Sequence, residues 1–402
     1  MTFDPEPGAI RGLPLARWMR RRGWDVQVLT GFPQYPVGKI YPGYKIRLRQ
    51  RETMDGVPVL RVPIYPSHDG SALRRSLTYL SFGFSALTLG ISQVGPVDLV
   101  FICELLPTNG LASTMLRILK GTPVVANIAD IWPDSVMESG MVRGGILRDT
   151  AGLILGQWCQ CLYRQAEVIT VLSPGFKRLL VERGVPLAKI KVIYNWTDEE
   201  TFRPTDPDPK FAESLGFEGK FNIVYAGNFG VLQGLETVIR AAALVRGNPS
   251  LQIVLIGTGP KEEALKSLVL SLGANNVLFL GRREYWEMTH IYAVSQALIV
   301  HLKDIPFLRT TIPSKTAVSL ASGRPILMAV RGDAAELVSR ARAGVICPPE
   351  NPEAMAQAML SLLQTSKEEL QAMGDRGRSF YMENLSLNNA GEQMEAIFRS
   401  VA

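Results

Sequence analysis

Short, mostly apolar runs alternate along the chain with longer amphipathic stretches, and the series occurs twice. In the first series Val26–Thr30, Val59–Val62, Val97–Ile102, Thr122–Ile128, Glu167–Val171 and Lys189–Ile193 predict strands. Helical patterns lie among them: one from Leu13 ended by Gly23, an apolar stretch from Ser76, Ala151–Gln165, and one opened by Ser173-Pro-Gly. Such alternation predicts an α/β fold, a parallel sheet with helices on both faces. The pattern breaks over Thr201–Lys220, which holds three prolines and many charges and reads as a linker. It then restarts with strands at Phe221–Ala226, Leu251–Ile256, Asn276–Leu280, Ala297–His301 and Ile326–Val330, and Asn351–Ala402 is helical by periodicity. The expectation is two Rossmann-like domains, 1–200 and 201–385, with a cleft between them, and a last helix, 386–402, returning to the first domain.

Ligands of such sheets lie beyond the strand C-termini, which directs attention to what the second series places there. Asp304–Val345 is the densest stretch. Its loop carries Arg309 and Lys315 with no acid close after Asp304, and Pro313-Ser314 opens a helix with Ser314 as the expected N-cap and Gly323 at its end. A helix start beside two cations suits a phosphate, and it equally suits an ordinary cap flanked by solvated side chains. Gly227-Asn228-Phe229-Gly230 is a tight turn between strand and helix, able to admit a phosphate to backbone N–H groups or to serve as a plain βα turn. Gly257-Thr-Gly259 and Gly281-Arg282 end two further strands. In the first series Glu104 and Asp130 stand at strand ends, as candidate catalytic carboxylates or as caps and ion-pair partners. The Gly31–Lys45 loop, rich in Pro, Gly and Tyr, is long enough to be functional or to be a surface excursion packed by its own tyrosines.

The 402 residues carry a net charge of +6, with 47% hydrophobic and 20% charged residues. That mild basic excess fits an anionic ligand or an anionic membrane surface and falls short of a nucleic-acid signature. Cys103, Cys159, Cys161 and Cys347 match no zinc spacing, and His68, His290 and His301 are scattered, so no metal site is expected. The opening residues contain no signal peptide, which points to the cytoplasm. Ser76–Val97 is free of charge for 22 residues behind Arg74-Arg75. It is too polar for a clear membrane span; a buried helix is the preferred reading, with a membrane-surface helix the competing one.

The motifs PEPGAIRG, GFPQYPVGKIYPGY, ADIWPDS, IYNWTD, GNFGVLQGLETVI, LIGTGP, FLGR and PFLRTTIPSK…SLASGRPIL…GDAAELV together resemble the retaining nucleotide-sugar glycosyltransferases of the GT-B fold, the large family 4. The subgroup most resembled is that of bacterial polysaccharide and lipopolysaccharide assembly, such as the N-acetyl-fucosaminyl transferases. The resemblance implies an N-terminal acceptor domain and a C-terminal donor domain. It implies donor binding by Gly8, Gly227, Asn228, Gly230, Arg282, Arg309, Thr310, Ser314 and Lys315, and catalysis by Asp130 or Glu104. It implies a UDP-sugar donor, a lipid-linked or polysaccharide acceptor, no cofactor or metal, no nucleic acid, and a cytoplasmic enzyme able to sit on the inner membrane face. A UDP-sugar 2-epimerase or an inactive nucleotide-sugar-binding subunit on the same fold are the alternative readings.

The chain departs from the family pattern at several points. Thr310 and Val318 occupy the places of a glutamate pair, and Val318 removes the expected ribose acceptor, a loss of about 1.5–3 kcal/mol in donor binding. Asn228 and Gln233 stand where Arg and Lys are common, and Ala129 where a catalytic histidine is common. The family also has a strand before PEPG. The chain begins at that strand's end, so a start codon further upstream is expected, and without the strand two sheet edges would be exposed.

Overall fold

The computed structural model describes residues 3–6, 10–67, 72–134 and 146–402, without the side chains of residues 72, 146–149 and 151. Two compact units form, Met1–Tyr194 with Ala390–Ala402, and Asn195–Asn389. The break precedes the expected one at 200/201 because the chain is anchored in the second unit before then. The Thr197 N–H donates to the Tyr381 hydroxyl at 3.0 Å, and that hydroxyl donates to Glu199 at 2.9 Å. From Ala390 the C-terminal helix Leu387–Val401 belongs to the first unit. There Phe398 packs on Phe101 and Trp24, and Glu395 accepts from Arg22 and the Trp24 indole.

The first unit holds β1 (Val28–Gly31), β2 (Gln50–Met54), β3 (Val57–Val62), β4 (Val100–Ile102), β5 (Val124–Ile128), β6 (Val168–Val171) and β7 (Ile190–Val192). They form two sheets, β1-β3-β2 and β4-β5-β6-β7. Among the described residues β1 pairs only with β3 and β4 only with β5. The expected strands pair in parallel, and β2, not among them, runs antiparallel to β3 through a hairpin. Asp55 and Gly56 at its tip have φ of 48° and 81°, the left-handed pair that a two-residue hairpin turn requires. Arg61 on β3 is fully buried and ties the layer together, donating to the Glu52 carboxylate and to the carbonyls of Gly31 and Asp4.

The charge-free stretch forms a helix, Ala72–Ser85, prolonged by a wide turn over Ala86–Gly90 and a tight one over Ile91–Gln93. The preferred reading as a buried helix is corrected: Thr78, Phe82, Gly83 and Ala86 face the core, whereas Leu73, Leu77, Leu80 and Phe84 are 71%, 42%, 57% and 68% exposed. Among the described residues no helix is long and apolar enough to cross a membrane.

The second unit is one parallel sheet of β8 (Phe221–Ala226), β9 (Leu251–Ile256), β10 (Val277–Gly281), β11 (Ala297–His301), β12 (Ile326–Ala329) and β13 (Gly344–Ile346). Their order is β10-β9-β8-β11-β12-β13. The central strands are apolar on both faces because helices cover both, with Ile253, Leu255, Ile326 and Leu327 wholly inaccessible. Chain order reverses between β8 and β11, so their C-terminal ends diverge there and leave the crevice in which such sheets hold ligands.

Candidate active site

At that crevice the chain leaves β8 through Gly227-Asn-Phe-Gly230, and glycine is needed at two places by shape. Gly227 has φ +146°, and a Cβ built on it would stand 2.6 Å from Cε and 2.8 Å from Nζ of Lys315. Gly257, at the end of β9, has φ +135° and lies against the Gly227 carbonyl, where a Cβ would come within 1.9 Å of the oxygen. The turn is held from below by Tyr225, whose hydroxyl donates to the Asn228 carbonyl at 2.8 Å. The Asn228 side chain lies between Gly230 and Gly259.

Lys315 is delivered to this turn by the helix Ser314–Ala321, which follows β11. Its ammonium stands 5.0 Å from the centre of the Tyr225 ring, and burial lowers it from 10.5 to about 8. Ser314 is not the N-cap: Pro313 takes that place with φ −60° and ψ 142°, and Ser314 is the exposed first helical residue, making no capping bond. The correction follows from proline's preset φ, which suits a helix entrance. The first-turn N–H groups and the positive end of the helix dipole add to the Lys315 charge. At the other end Ser322 is the C-cap and Gly323 follows it at φ +63°.

Arg309 lies elsewhere on the same crossover, at the end of the short helix Pro306–Arg309. It is exposed to solvent and paired with acid. Its Nε donates to Asp304 Oδ1 at 2.8 Å, and Arg331 Nε pairs with Oδ2 of the same carboxylate at 3.1 Å. The Arg309 carbonyl rests on Gly332, whose φ of +83° permits an approach that a Cβ would block. Thr310 turns its hydroxyl to the Phe307 carbonyl at 2.8 Å. Asp304 is itself placed by its N–H donating to Glu350, a residue at φ 54°.

The Glu350 N–H donates to Nε2 of buried His301, and His301 Nδ1 donates to the Gln233 carbonyl at 2.7 Å. These two contacts require the neutral imidazole with its proton on Nδ1, consistent with burial lowering its pKa. The Lys303 N–H also donates to the Leu232 carbonyl. The crossover after β11 is thus stitched to the Gly-rich turn after β8.

Of the expected donor residues, Gly227, Asn228, Gly230 and Lys315 come together. Arg309 and Thr310 stand on the stitched crossover. Arg282 is exposed at the end of β10, linked to the others through the Gly257 N–H donating to the Gly281 carbonyl at 2.8 Å. Gly8 lies outside the described residues. Tyr225, His301, Asp304, Arg331 and Glu350 were not foreseen; a tyrosine at a strand end beside a glycine turn was the one local signal. Among the described residues no cluster of three or more His, Cys, Asp or Glu is arranged to hold a metal.

In the first unit Glu104 and Asp130 follow the paired strands β4 and β5. Asn127 fixes the segment carrying Glu104, donating from Nδ2 to the Cys103 carbonyl at 2.7 Å and accepting the Leu105 N–H at its own carbonyl. Desolvation raises Glu104, and the charge of nearby Asp130 adds to the shift. Asp130 opens to solvent on one side, yet the protein around it raises its carboxyl as well. The loop beyond it is clamped by Arg183, which donates to the Trp132 carbonyl and pairs with Asp134.

Comparison with known proteins adds the same assignment from outside. Residues 10–196 match the model of the glycosyl transferase 4-like domain, and residues 220–365 that of glycosyl transferases group 1. The probable glycosyltransferase WbjE of Pseudomonas aeruginosa is 25% identical over 71% of this chain and 70% of its own. The putative colanic acid biosynthesis glycosyl transferase WcaI of Escherichia coli is 24% identical over 92% of each. The structure of HepE from Anabaena in complex with UDP superposes with a TM-score of 0.69 at 15% identity, covering 93% of this chain and 99% of that one. Two glycosyltransferase models that between them span both units, laid over this pair of parallel-sheet units, show that the chain is an enzyme belonging to the GT-B glycosyltransferases of the family 4-like type.

Proposed function

We propose that this enzyme transfers a sugar, an N-acetylated amino sugar, from a UDP donor to a lipid-linked or polysaccharide acceptor of a cell-surface glycan, with retained configuration. The observation that carries the donor half is the Lys315 ammonium standing over Gly227 at the switch point of the second sheet. A cation, a helix start and a turn without side chains converge there, which is the chemistry a departing diphosphate needs. Breaking the bond between the anomeric carbon and the diphosphate oxygen places negative charge on UDP. Lys315, Arg309 and the backbone of the Gly227 turn offset that charge from the protein's own groups, with no cofactor. The raised carboxyls of Glu104 and Asp130 suit the acceptor side, where one of them positions the attacking hydroxyl.

HepE is described in complex with UDP, which supports the choice of nucleotide, and WcaI is described as a putative colanic acid biosynthesis glycosyl transferase, which supports a role in cell-surface glycan assembly. The test is titration calorimetry with UDP, GDP and ADP, followed by transfer assays with UDP-sugars. Selective micromolar UDP binding that weakens at least about tenfold in Lys315→Met is expected. Equal binding of all three nucleotides, or a β-linked product from an α-linked donor, would sink the proposal.

A further inference from the structure

His301 ends β11 with its side chain buried, and each ring nitrogen holds a different loop of the second unit. Nδ1 meets the Gln233 carbonyl at 2.7 Å, in the turn that follows β8. Nε2 meets the Glu350 N–H at 3.3 Å, in the loop that follows β13. The ring also lies flush against Gly234, where φ is +57° and a Cβ would stand 2.9 Å from Cε1. A carbonyl oxygen only accepts and a backbone N–H only donates, so the two contacts admit one form of the ring: neutral, with its proton on Nδ1.

A second proton on Nε2 would face the Glu350 N–H and break that contact, and the break would not stay local. Glu350 sits at φ 54°, a backbone conformation that persists only where its surroundings hold it. Its carboxylate accepts the Asp304 N–H at 2.8 Å, and Asp304 pairs with both Arg309 and Arg331. On the other side Gln233 closes the segment that begins at Gly227, over which Lys315 stands. The charged groups around the ring are Glu350, Glu236 of the helix Leu235–Leu244, which pairs with Lys261 at 3.4 Å, and Lys303 and Asp304 of the crossover. Burial opposes a charged ring and outweighs the Gln233 carbonyl, Glu350 and Glu236, which favour it.

We infer that His301 is a positioning residue of the donor site: its neutral form, protonated on Nδ1, sets the Gly227 turn and the Arg309–Arg331 crossover in register for a diphosphate, so that protonation of the ring and donor binding oppose each other. The diphosphate rests on the proposed function, whereas the coupling of the two loops rests on the hydrogen bonds of the ring alone.

The test reads the ring by proton–nitrogen correlation spectra of the full chain, which has three histidines to assign. A donor site that needs the neutral ring must, by reciprocity, make the ring harder to protonate once UDP is bound, and saturating UDP should lower the His301 titration midpoint by at least about one pH unit. An anion acting through charge alone would raise it, so a raised or unmoved midpoint would overturn the inference. For a ring that stays neutral at every pH the fold survives, His301→Asn and His301→Gln decide. The Asn amide nitrogen can replace Nδ1 toward Gln233, and the Gln amide oxygen can replace Nε2 toward Glu350, so each variant keeps one contact and loses the other. Each should weaken UDP at least about tenfold near neutral pH and speed amide exchange in both 228–234 and 303–310. UDP binding at the parent's strength, or exchange confined to the loop whose bond was removed, would also overturn it. A parent chain that binds no UDP would fail the proposed function, while exchange spreading to both loops in both variants would leave the coupling standing.

Discussion

Substituting Lys315 by Met tests the donor site at its most sensitive group, through protons as well as affinity. In the unliganded enzyme burial lowers the ammonium from 10.5 to about 8. A diphosphate bound at the Gly227 turn favours the charged form and moves the group back toward its ordinary range. At pH 8, where the free enzyme is about half protonated, UDP binding should therefore take up about half a proton. The full gap between 8 and 10.5 corresponds to about 3 kcal/mol, an upper bound on what the anion recovers.

The sign follows directly. Near pH 7 Lys315 is already charged and adds no pH dependence to UDP affinity; from pH 8 toward 10.5 affinity falls by up to about tenfold per pH unit. The stability of the unliganded enzyme moves the other way across that window, rising with pH, because the unfolded chain keeps the proton the folded one has released. Calorimetry at pH 8 in buffers of different ionisation enthalpy reads the uptake. Lys315→Met should abolish it and weaken UDP at pH 7 at least about tenfold. An uptake near zero in the parent, or the same uptake in the variant, would refute the placement of the phosphate at Lys315.

Gly227→Ala should cost at least about tenfold in UDP affinity, since the added methyl meets Lys315 Cε at 2.6 Å and φ +146° is poor for alanine; an unaltered dissociation constant would place the phosphate elsewhere. Val318→Glu, on the half-buried side of the helix Ser314–Ala321, should strengthen UDP by about 1.5–3 kcal/mol and deoxyuridine diphosphate less, and equal gains for both would discard the ribose role. Tyr381→Phe strips the Thr197 N–H and Glu199 of their shared buried partner, so thermal unfolding should fall by about 3–8 °C, as scanning calorimetry would show.

The second sheet was the more legible half. Phe221–Ala226, Leu251–Ile256 and Ala297–His301 begin and end where the sequence places them, because strands buried on both faces are predominantly apolar. β2 escaped notice for the opposite reason: Gln-Arg-Glu-Thr-Met is polar because it lies at a sheet edge, and its only announcement was the Asp55-Gly56 turn. In Ser76–Val97 the absence of charge drew attention away from the spacing of Leu73, Leu77, Leu80 and Phe84, which separates an amphipathic helix from a buried one. Lys315 and Gly227 lie 88 positions apart, so only the resemblance to a family could pair them before the fold did. The Asp304–Arg331 contact had no local signal at all, since a pattern of single positions carries no record of which loops a parallel sheet brings side by side.

That shared carboxylate has a consequence for how the crossover meets an anion. A long guanidinium on a surface loop ordinarily samples many rotamers, and fixing it on a ligand forfeits that freedom, about 0.5–1.5 kcal/mol for each such side chain. Asp304 restrains Arg309 through Nε alone and Arg331 likewise, leaving the terminal nitrogens out of those two pairings. One negative charge thus orders two positive ones and still leaves the trio with a net positive charge. The loss of side-chain freedom is met during folding, so a phosphate bound there, as proposed, would find two guanidinium groups already restrained.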